Sequence, residues 1–519
     1  MTGGFVTVAM LLARAGIAPG GASPPLDAAL LEAPVADVCY DSRRVTAGSV
    51  FVAVPGARYD GGQFAADAAA RGAAFVVAES PPPADLPISW LAVPNARIAM
   101  STLAAAFQGD PSGELLVVGV TGTNGKTTTT YLIESILEQA AIPSGRVCTV
   151  SNRIARNDAE DEQPAVHTTP EAPDLHAMLR AMRNAGARAC VLETSSHALA
   201  LHRVDHVRFD AGVFTNLTRD HLDFHGGMES YFAAKRRLFE LLTDRAHAIV
   251  NVDDPYGARL AETVRRPFTY ALDTPADVTA ARLDTGVDGT RIAAATPRGS
   301  LDIRSSLVGR TNAGNLLAAA AAGVALDLPS AAIEAGLEAV EGVPGRMEQV
   351  STPADDIDVI VDFAHTDDAL RRLLETLRPL ATRRVITVFG CGGDRDATKR
   401  PLMGAAAARW SDLVIVTSDN PRSEDPVAII REIETGITGG SDVVDYRTIP
   451  DRARAIAEAI GEAAPGDMVV IAGKGHERAQ VIGPDVLPFN DAAVARAALA
   501  ERGAPSRRAF GNRRGRSEA

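Results

Sequence analysis

The stretch 115–128, LLVVGVTGTNGKTT, constrains the fold more than any other part of the chain. The continuous apolar run LLVVGV at 115–120 reads as a parallel strand buried on both faces. A glycine loop follows it, then a helix pattern reaching residue 140. In that order the glycines let backbone N–H groups turn inward around a phosphate, and the helix N-terminus adds partial positive charge. Lys126 would reach the β- and γ-phosphates of ATP, and Thr127 would ligate Mg2+ through its hydroxyl. Gly122, Thr123, Asn124, Gly125 and Thr128 complete the cradle. The common GxxxxGK[ST] spacing needs glycine at 120, where this chain has Val120; its glycines stand at 119, 122 and 125. A magnesium–ATP site also needs an acid from a neighbouring strand end. Glu193 closes the apolar run RACVLE (188–193) and has that position. Alone, a strand-end glutamate is more often a solvated surface residue; the following TSSH and the upstream loop favour the site.

A chain of 519 residues is too long for one hydrophobic core, and about three domains of roughly 100–200 residues are expected. The first is placed at 1–110. It contains VCYDSRRVTAGSVFVAVPG, whose alternation suggests short strands, then the surface loop SPPPADLP (80–87) and a helix pattern near 95–107. GDPSG breaks the chain before the glycine loop. The second domain, 111–342, adds the runs AGVFTN (211–216) and HAIVNVD (247–253) and a strong helix former at 312–326. The third, 343–500, alternates strand candidates at 358–365, 384–390, 412–420 and 467–477 with helix patterns near 367–380, 400–410, 426–436 and 450–463. The fold class is therefore α/β in three domains, with a central P-loop ATPase-type parallel sheet and a C-terminal Rossmann-like doubly wound sheet. Such sheets bind ligands at the carboxyl ends of strands, where the polar residues of interest fall.

Composition excludes more than it selects. With 46% apolar and 23% charged residues the balance is globular, and the net charge of −13 argues against general nucleic-acid binding. Four scattered cysteines without a CxxC pair suggest reduced thiols rather than disulfides or a zinc site. No apolar run approaches the roughly 20 residues of a membrane span. FVTVAMLLARAGI, with its Arg14, reads as an amphipathic first helix rather than a signal peptide. The basic segment 501–519 reads as a solvated, disordered tail.

Ten strings together resemble the Mur ligases, the ATP-dependent amide-bond-forming enzymes of peptidoglycan synthesis. They are TGTNGKTT, HTTPE (167–171), ETSSHAL (193–199), NLTRDHLDFHG (216–226), YFAAK (231–235), PGRME (344–348), DFAHTDDAL (362–370), GCGGDRDATKRP (390–401), DNPR (419–422) and GKGHE (473–477). The resemblance spans all three blocks in family order and leaves out only the basic tail. It implies an acyl-phosphate mechanism, with Lys126 and Mg2+ offsetting the charge of a carboxylate and a triphosphate. It also implies that Glu193 and His221 ligate magnesium and that Lys235 is carbamylated to an N6-carboxylysine that helps hold a second ion. Without the resemblance, Lys235 reads as a solvated helix lysine. Asn315 would lie near the base, and Arg346 and Asp362 would reach the nucleotide's phosphate or ribose. The family's usual HTPD is here His365-Thr366-Asp367-Asp368, with an extra acid at 367.

The same resemblance assigns Ser42 of the DSR string to a uridine nucleotide. It assigns Thr168, Thr169, Ser195 and Arg203 to the muramoyl-dipeptide of UDP-N-acetylmuramoyl-L-alanyl-D-glutamate. A glutamine common two residues before that arginine is Leu201 here. DNPR is the string associated with meso-diaminopimelate. Arg422 offers a planar fork for the second carboxylate that lysine lacks, and Arg395 is another clamp. Asp419, Asn420, Pro421, Gly473 and Glu477 complete that set, with Glu477 receiving an ammonium group. The expectation is a monomeric cytoplasmic enzyme. A lysine-adding Mur ligase, a folylpolyglutamate synthetase and a nucleotide-gated binding protein are the competing readings. The last needs only the loop and Glu193 and leaves DNPR and GKGHE without a role.

Overall fold

The computed structural model describes residues 5–19, 22–56, 59–83, 85–154, 162–286, 288–440 and 444–503. The basic tail expected at 501–519 therefore lies almost entirely outside the described residues. The chain divides into two compact units. The first takes in the chain up to Thr285 together with Gly289–Ser306 and Thr311–Glu341; the second is built mainly from Gly342 onward.

The first unit holds two sheets. A five-stranded sheet runs in the order Ala22–Ser23, Trp90–Ala92, Phe75–Ala78, Val50–Ala53, Val38–Cys39. Its strands are parallel except for the first. Val50–Ala53 is buried at every position rather than alternating, because helices cover both faces of this sheet. The amphipathic first helix is present as Val8–Ala15, burying Val8, Leu11 and Leu12.

The second sheet has eleven strands, and the strand Leu116–Thr121 lies inside it, between Phe209–Phe214 and Ala189–Glu193. The chain leaves Leu116–Thr121 through the helix Lys126–Gln139 and reaches Ser144–Val147. Ala189–Glu193 then fills the place between those two strands, and Phe209–Phe214 pairs on the opposite side. That reversal opens a crevice at the carboxyl ends, where a doubly wound sheet binds its ligand. Beyond Leu242–Asn251 and Pro267–Ala271 the sheet continues into Val278–Gly286, Gly289–Thr296 and Gly299–Ser305, the last two antiparallel. This extension has a weak sequence signal: its inward positions alternate as required, but several are Ala or Thr rather than large aliphatics.

The second unit carries a six-stranded sheet in the order Glu348–Gln349, Asp358–Asp362, Met468–Ala472, Val385–Phe389, Leu413–Val416, Asp445–Thr448. All pairs are parallel except the first. Helices Asp367–Leu377, Lys399–Trp410, Pro426–Thr438 and Arg452–Glu462 stand where the sequence pattern puts them. Separate apolar clusters on the two faces of the sheet fix the strand ends that carry DNPR and GKGHE. No helix among the described residues is long and apolar enough to cross a membrane.

Candidate active site

The glycine loop takes the strand–turn–helix form that the sequence pattern predicts, and the Val120 departure has a local reason. Val120 lies inside the strand, fully buried, with its carbonyl accepting the Thr194 N–H at 2.8 Å, so no glycine is needed there. The turn is made instead by Gly122 and Gly125, with φ of 150° and 82°. A Cβ on Gly122 would meet Thr215 Oγ1 at 1.9 Å, and one on Gly125 would meet Asn315 Oδ1 at 2.2 Å. The latter contact brings Asn315 to the N-terminus of the loop helix. That helix is capped by Gly125 without a side-chain acceptor, an arrangement of first-turn N–H groups that suits an anion. The strand end at 215–218 braces the loop: Thr123 N donates to Asn216 O at 2.8 Å and Asn124 N to Asn216 Oδ1 at 3.0 Å.

Glu193 gathers the site's hydroxyls. Its side chain is 1% exposed. Oε2 accepts from Thr127 Oγ1 and from Thr149 N, each at 3.0 Å, and Oε1 accepts from Thr149 Oγ1 at 3.0 Å. Lys126 Nζ lies 3.9 Å from the same carboxylate and donates to Thr123 O at 2.8 Å. Thr127 and Glu193 thus present hard oxygens side by side, the donor type magnesium takes, and the residues fit that ion. Among the described residues no group of three or more His, Cys, Asp or Glu could hold a metal by itself.

Lys235 is the largest departure from a plain reading of the sequence. It is not a solvated helix lysine: it is 1% exposed on the inner face of the helix Met228–Glu240. Its ammonium nitrogen donates to Gly122 O at 2.5 Å and stands 4.6 Å from the Tyr231 ring. Burial, with Lys126 as a second cause, pushes its pKa well below 10.5. His221 stands at the N-terminus of the preceding short helix, Leu222–His225, in a left-handed conformation, 43% exposed at its side chain, with Nε2 3.3 Å from Asp220. Its ring meets His197 edge-on, and His197 and His225 are each held down to about 4, chiefly by burial.

The residues expected at the nucleotide-sugar substrate cluster beside Glu193. Thr169 Oγ1 donates to Glu193 O at 2.8 Å and accepts from Ser195 N at 3.1 Å. Thr149 Oγ1 bonds Thr168 Oγ1 at 3.0 Å. Arg203 donates to Thr169 O at 3.0 Å and pairs with Glu171 at 2.8 Å. Ser195 caps the helix Ser196–Ala200, so one hydroxyl both starts a helix and faces this cluster. The five-stranded sheet is tied to this region by Tyr40 and Arg44, both on Asp174, and by Arg97 on Glu171 at 3.6 Å. Ser42 opens the short helical turn Ser42–Arg44 and is buried there.

In the second unit the strand ends bring together most of the other expected residues. Asn420 Nδ2 donates to Glu477 Oε2 at 2.8 Å, and Gly473 lets Asp419 approach so closely that a Cβ would sit 2.9 Å from its Oδ2. Arg422, with φ of 51°, donates to Gly393 O at 2.6 Å; a Cβ on Gly392 would lie 3.0 Å from Arg422 and 3.8 Å from Arg395. The two guanidinium-bearing residues therefore flank one glycine turn, with Arg395 exposed. Asp362 spends both oxygens on backbone N–H groups, Met347 and Ala364 at 2.7 Å each. Burial pushes its carboxyl up, and Arg346 opposes that shift. Arg346 itself stacks 4.6 Å from the Phe363 ring. In the departure at 365–368, Thr366 caps the helix Asp367–Leu377, the extra acid Asp367 stands in its first turn, where a carboxylate suits the helix dipole, and Asp368 pairs with Arg371 and Arg372. Thr149, Asp220, Tyr231 and Lys474 join these clusters without having been singled out in sequence. Asp220, Tyr231 and Lys474 had a signal, lying within NLTRDHLDFHG, YFAAK and GKGHE; Thr149 had none.

The fold and site define a P-loop ligase of the Mur type, and the comparisons agree. The model of the Mur ligase family catalytic domain matches residues 34–108, the Mur ligase middle domain 120–323, and the Mur ligase glutamate ligase domain 345–475. The chain belongs to the Mur ligase family, and it is an ATP-dependent acid–amino-acid ligase. Its relatives include the UDP-N-acetylmuramoyl-L-alanyl-D-glutamate–2,6-diaminopimelate ligase of Geobacter metallireducens, 48% identical over 89% of this chain and 93% of that protein. The enzyme of the same name from Geobacillus thermodenitrificans is 46% identical over 89% and 94%. A solved structure of a ligase with that name superposes with a TM-score of 0.65 at 33% identity, covering 92% of this chain and 97% of that one. MurF from Acinetobacter baumannii shares the fold, with a TM-score of 0.64 at 20% identity over 90% and 95%.

Proposed function

We propose that the chain joins meso-2,6-diaminopimelate to UDP-N-acetylmuramoyl-L-alanyl-D-glutamate, converting ATP to ADP and phosphate, as a cytoplasmic, monomeric enzyme of peptidoglycan precursor synthesis. The observation that carries this reading is the match to relatives of that name over more than nine-tenths of their length. It is supported by an anion-binding loop and a separate carboxylate-and-ammonium site in one chain.

A carboxylate oxygen of the acceptor attacks the γ-phosphorus, the bond to the β–γ bridging oxygen breaks, and ADP leaves with the electron pair. The amine then attacks the acyl carbon, the bond to phosphate breaks, and the nitrogen gives up a proton. Lys126 and the loop N–H groups meet the charge that develops on the transferred phosphoryl group. Thr127, Glu193 and His221 are assigned to magnesium, which when bound offsets the triphosphate's charge. Lys235 is assigned as the lysine that takes up carbon dioxide: desolvation favours its neutral amine, whose lone pair bonds the carbon while the nitrogen loses a proton. Thr168, Thr169, Ser195 and Arg203 orient the muramoyl-dipeptide, and Ser42 the uridine end. Arg422 and Arg395 take the distal carboxylate of diaminopimelate, and Asp419, Asn420, Gly473 and Glu477 its neighbouring ammonium.

Mass spectrometry of the product tests this. The protein is given the UDP-muramoyl-dipeptide, ATP, magnesium and equal amounts of lysine and meso-diaminopimelate. The diaminopimelate adduct should dominate. Preferential lysine ligation would overturn the amino-acid assignment, and ATP hydrolysis indifferent to the dipeptide would overturn the ligase reading of the site.

A further inference from the structure

Lys474 is fully buried at the carboxyl end of Met468–Ala472, in the middle of the residues assigned above to the amino-acid substrate. Its ammonium nitrogen donates to Asn420 Oδ1 at 2.9 Å and to Glu477 Oε2 at 2.8 Å, and lies 3.9 Å from Asp419 Oδ1. Asn420 closes the ring by donating its own amide to that same Glu477 oxygen, while its Oδ1 also accepts the Val481 N–H at 2.9 Å. Two donors therefore fix one oxygen of Glu477, and the side chain keeps 33% of its surface exposed, so its second oxygen is left for an incoming donor. The charge count points the same way. Lys474 and the buried Arg452 stand against Asp419, Glu477 and Asp491, which leaves one formal negative charge at a place expected to receive one ammonium.

We propose that Lys474 is a positioning residue for the amino-acid substrate. It locks the Glu477 carboxylate through a shared oxygen and cancels one of the two local negative charges, so that the pocket matches a single ammonium group. The proposal rests on the diaminopimelate reading and adds to it a residue that acts through Glu477 and Asn420. A charge-assisted hydrogen bond from a buried lysine contributes enough that losing it costs about tenfold or more in affinity.

The test is steady-state kinetics of the full chain carrying Lys474→Met, with each of the three substrates varied in turn. KM for meso-diaminopimelate should rise about tenfold or more, while KM for ATP and for the UDP-muramoyl-dipeptide stays within about twofold. A lysine that merely holds the fold would lower activity without separating the three. In the cycle with Glu477→Gln, the double variant should be little worse than Glu477→Gln alone, because Lys474 acts through that carboxylate. Lys474→Gln keeps a donor without the charge and should fall between wild type and Lys474→Met; it serves alone where the methionine variant does not fold. An unchanged diaminopimelate KM in an active variant, or additive effects in the cycle, would overturn the proposal. A wild-type protein without diaminopimelate-dependent turnover would instead overturn the reading beneath it.

Discussion

Glu193→Gln is the sharpest test of the phosphate site, because it changes charge and almost nothing else. In the carboxylate, Oε2 accepts two donors, of which the Thr149 N–H cannot reverse its role, and Oε1 accepts a hydroxyl that can. A glutamine fits in one orientation: its carbonyl oxygen takes the Oε2 place and its NH2 the Oε1 place, where the Thr149 hydroxyl turns to accept. All three hydrogen bonds survive, but with a neutral partner. Bonds to charged groups contribute about 1.5–3 kcal/mol against about 0.5–1.5 for neutral ones, so the gross weakening is about 3 kcal/mol over three bonds. Relief of a buried carboxylate offsets much of that, and stability should move by no more than about 1–2 kcal/mol. The nucleotide site has no such offset, since it loses its anionic oxygen beside Thr127. kcat/KM for ATP should fall about a hundredfold or more, equivalent to about 2.7 kcal/mol, and the magnesium concentration for half-maximal rate should rise. The assay is coupled ADP release across a magnesium titration, with a denaturant melt alongside. Activity within threefold of wild type at limiting magnesium would refute the metal role, and a stability loss as large as the rate loss would reduce Glu193 to a structural residue.

Lys235 should show opposite signs in stability and activity. Its folded pKa lies below the ordinary 10.5, so the folded state binds fewer protons than the unfolded one, and stability rises with pH as the solution approaches 10.5. In carbon-dioxide-free buffer Lys235→Met should remove that slope and be more stable at neutral pH, while ligation is nearly abolished; equal slopes in denaturant melts of the two proteins would refute the burial argument. Arg452 and Asp491 form a pair with both side chains 0% exposed, two bonds at 2.7 Å, and a third from Arg452 to Ala472 O at 2.9 Å. Asp491→Ala strands the guanidinium and should cost about 3–5 kcal/mol in the second unit, read by hydrogen exchange on Met468–Ala472; a loss below about 1 kcal/mol would show that water already reaches the pair.

What the sequence makes legible is local, and what it hides is tertiary. Strand, glycine turn and Lys-Thr lie within one short stretch, so the phosphate loop could be read directly; even Val120 was a visible departure with a local explanation. The doubly wound second unit was equally open, because its strand and helix periods differ plainly. Strands 278–305 were not, since small inward residues such as Ala294 carry little hydrophobic contrast. Lysines are the hardest case. Lys126, Lys235 and Lys474 are chemically identical in a sequence, and the usual expectation for a lysine is solvent exposure. Their environments separate them: Lys126 is partly exposed and aimed at the loop, while Lys235 and Lys474 are each buried. The two buried ones then diverge by neighbour. Lys235 is stripped of water beside another lysine, Lys126, and these outweigh the pull of Asp220 and Glu193 and disfavour its charge. Lys474 has two carboxylates and an amide oxygen, which is a setting for a fixed cation. One buried lysine is thereby suited to reacting as a neutral amine and the other to holding a carboxylate still, a distinction that exists only once distant strand ends have been brought together.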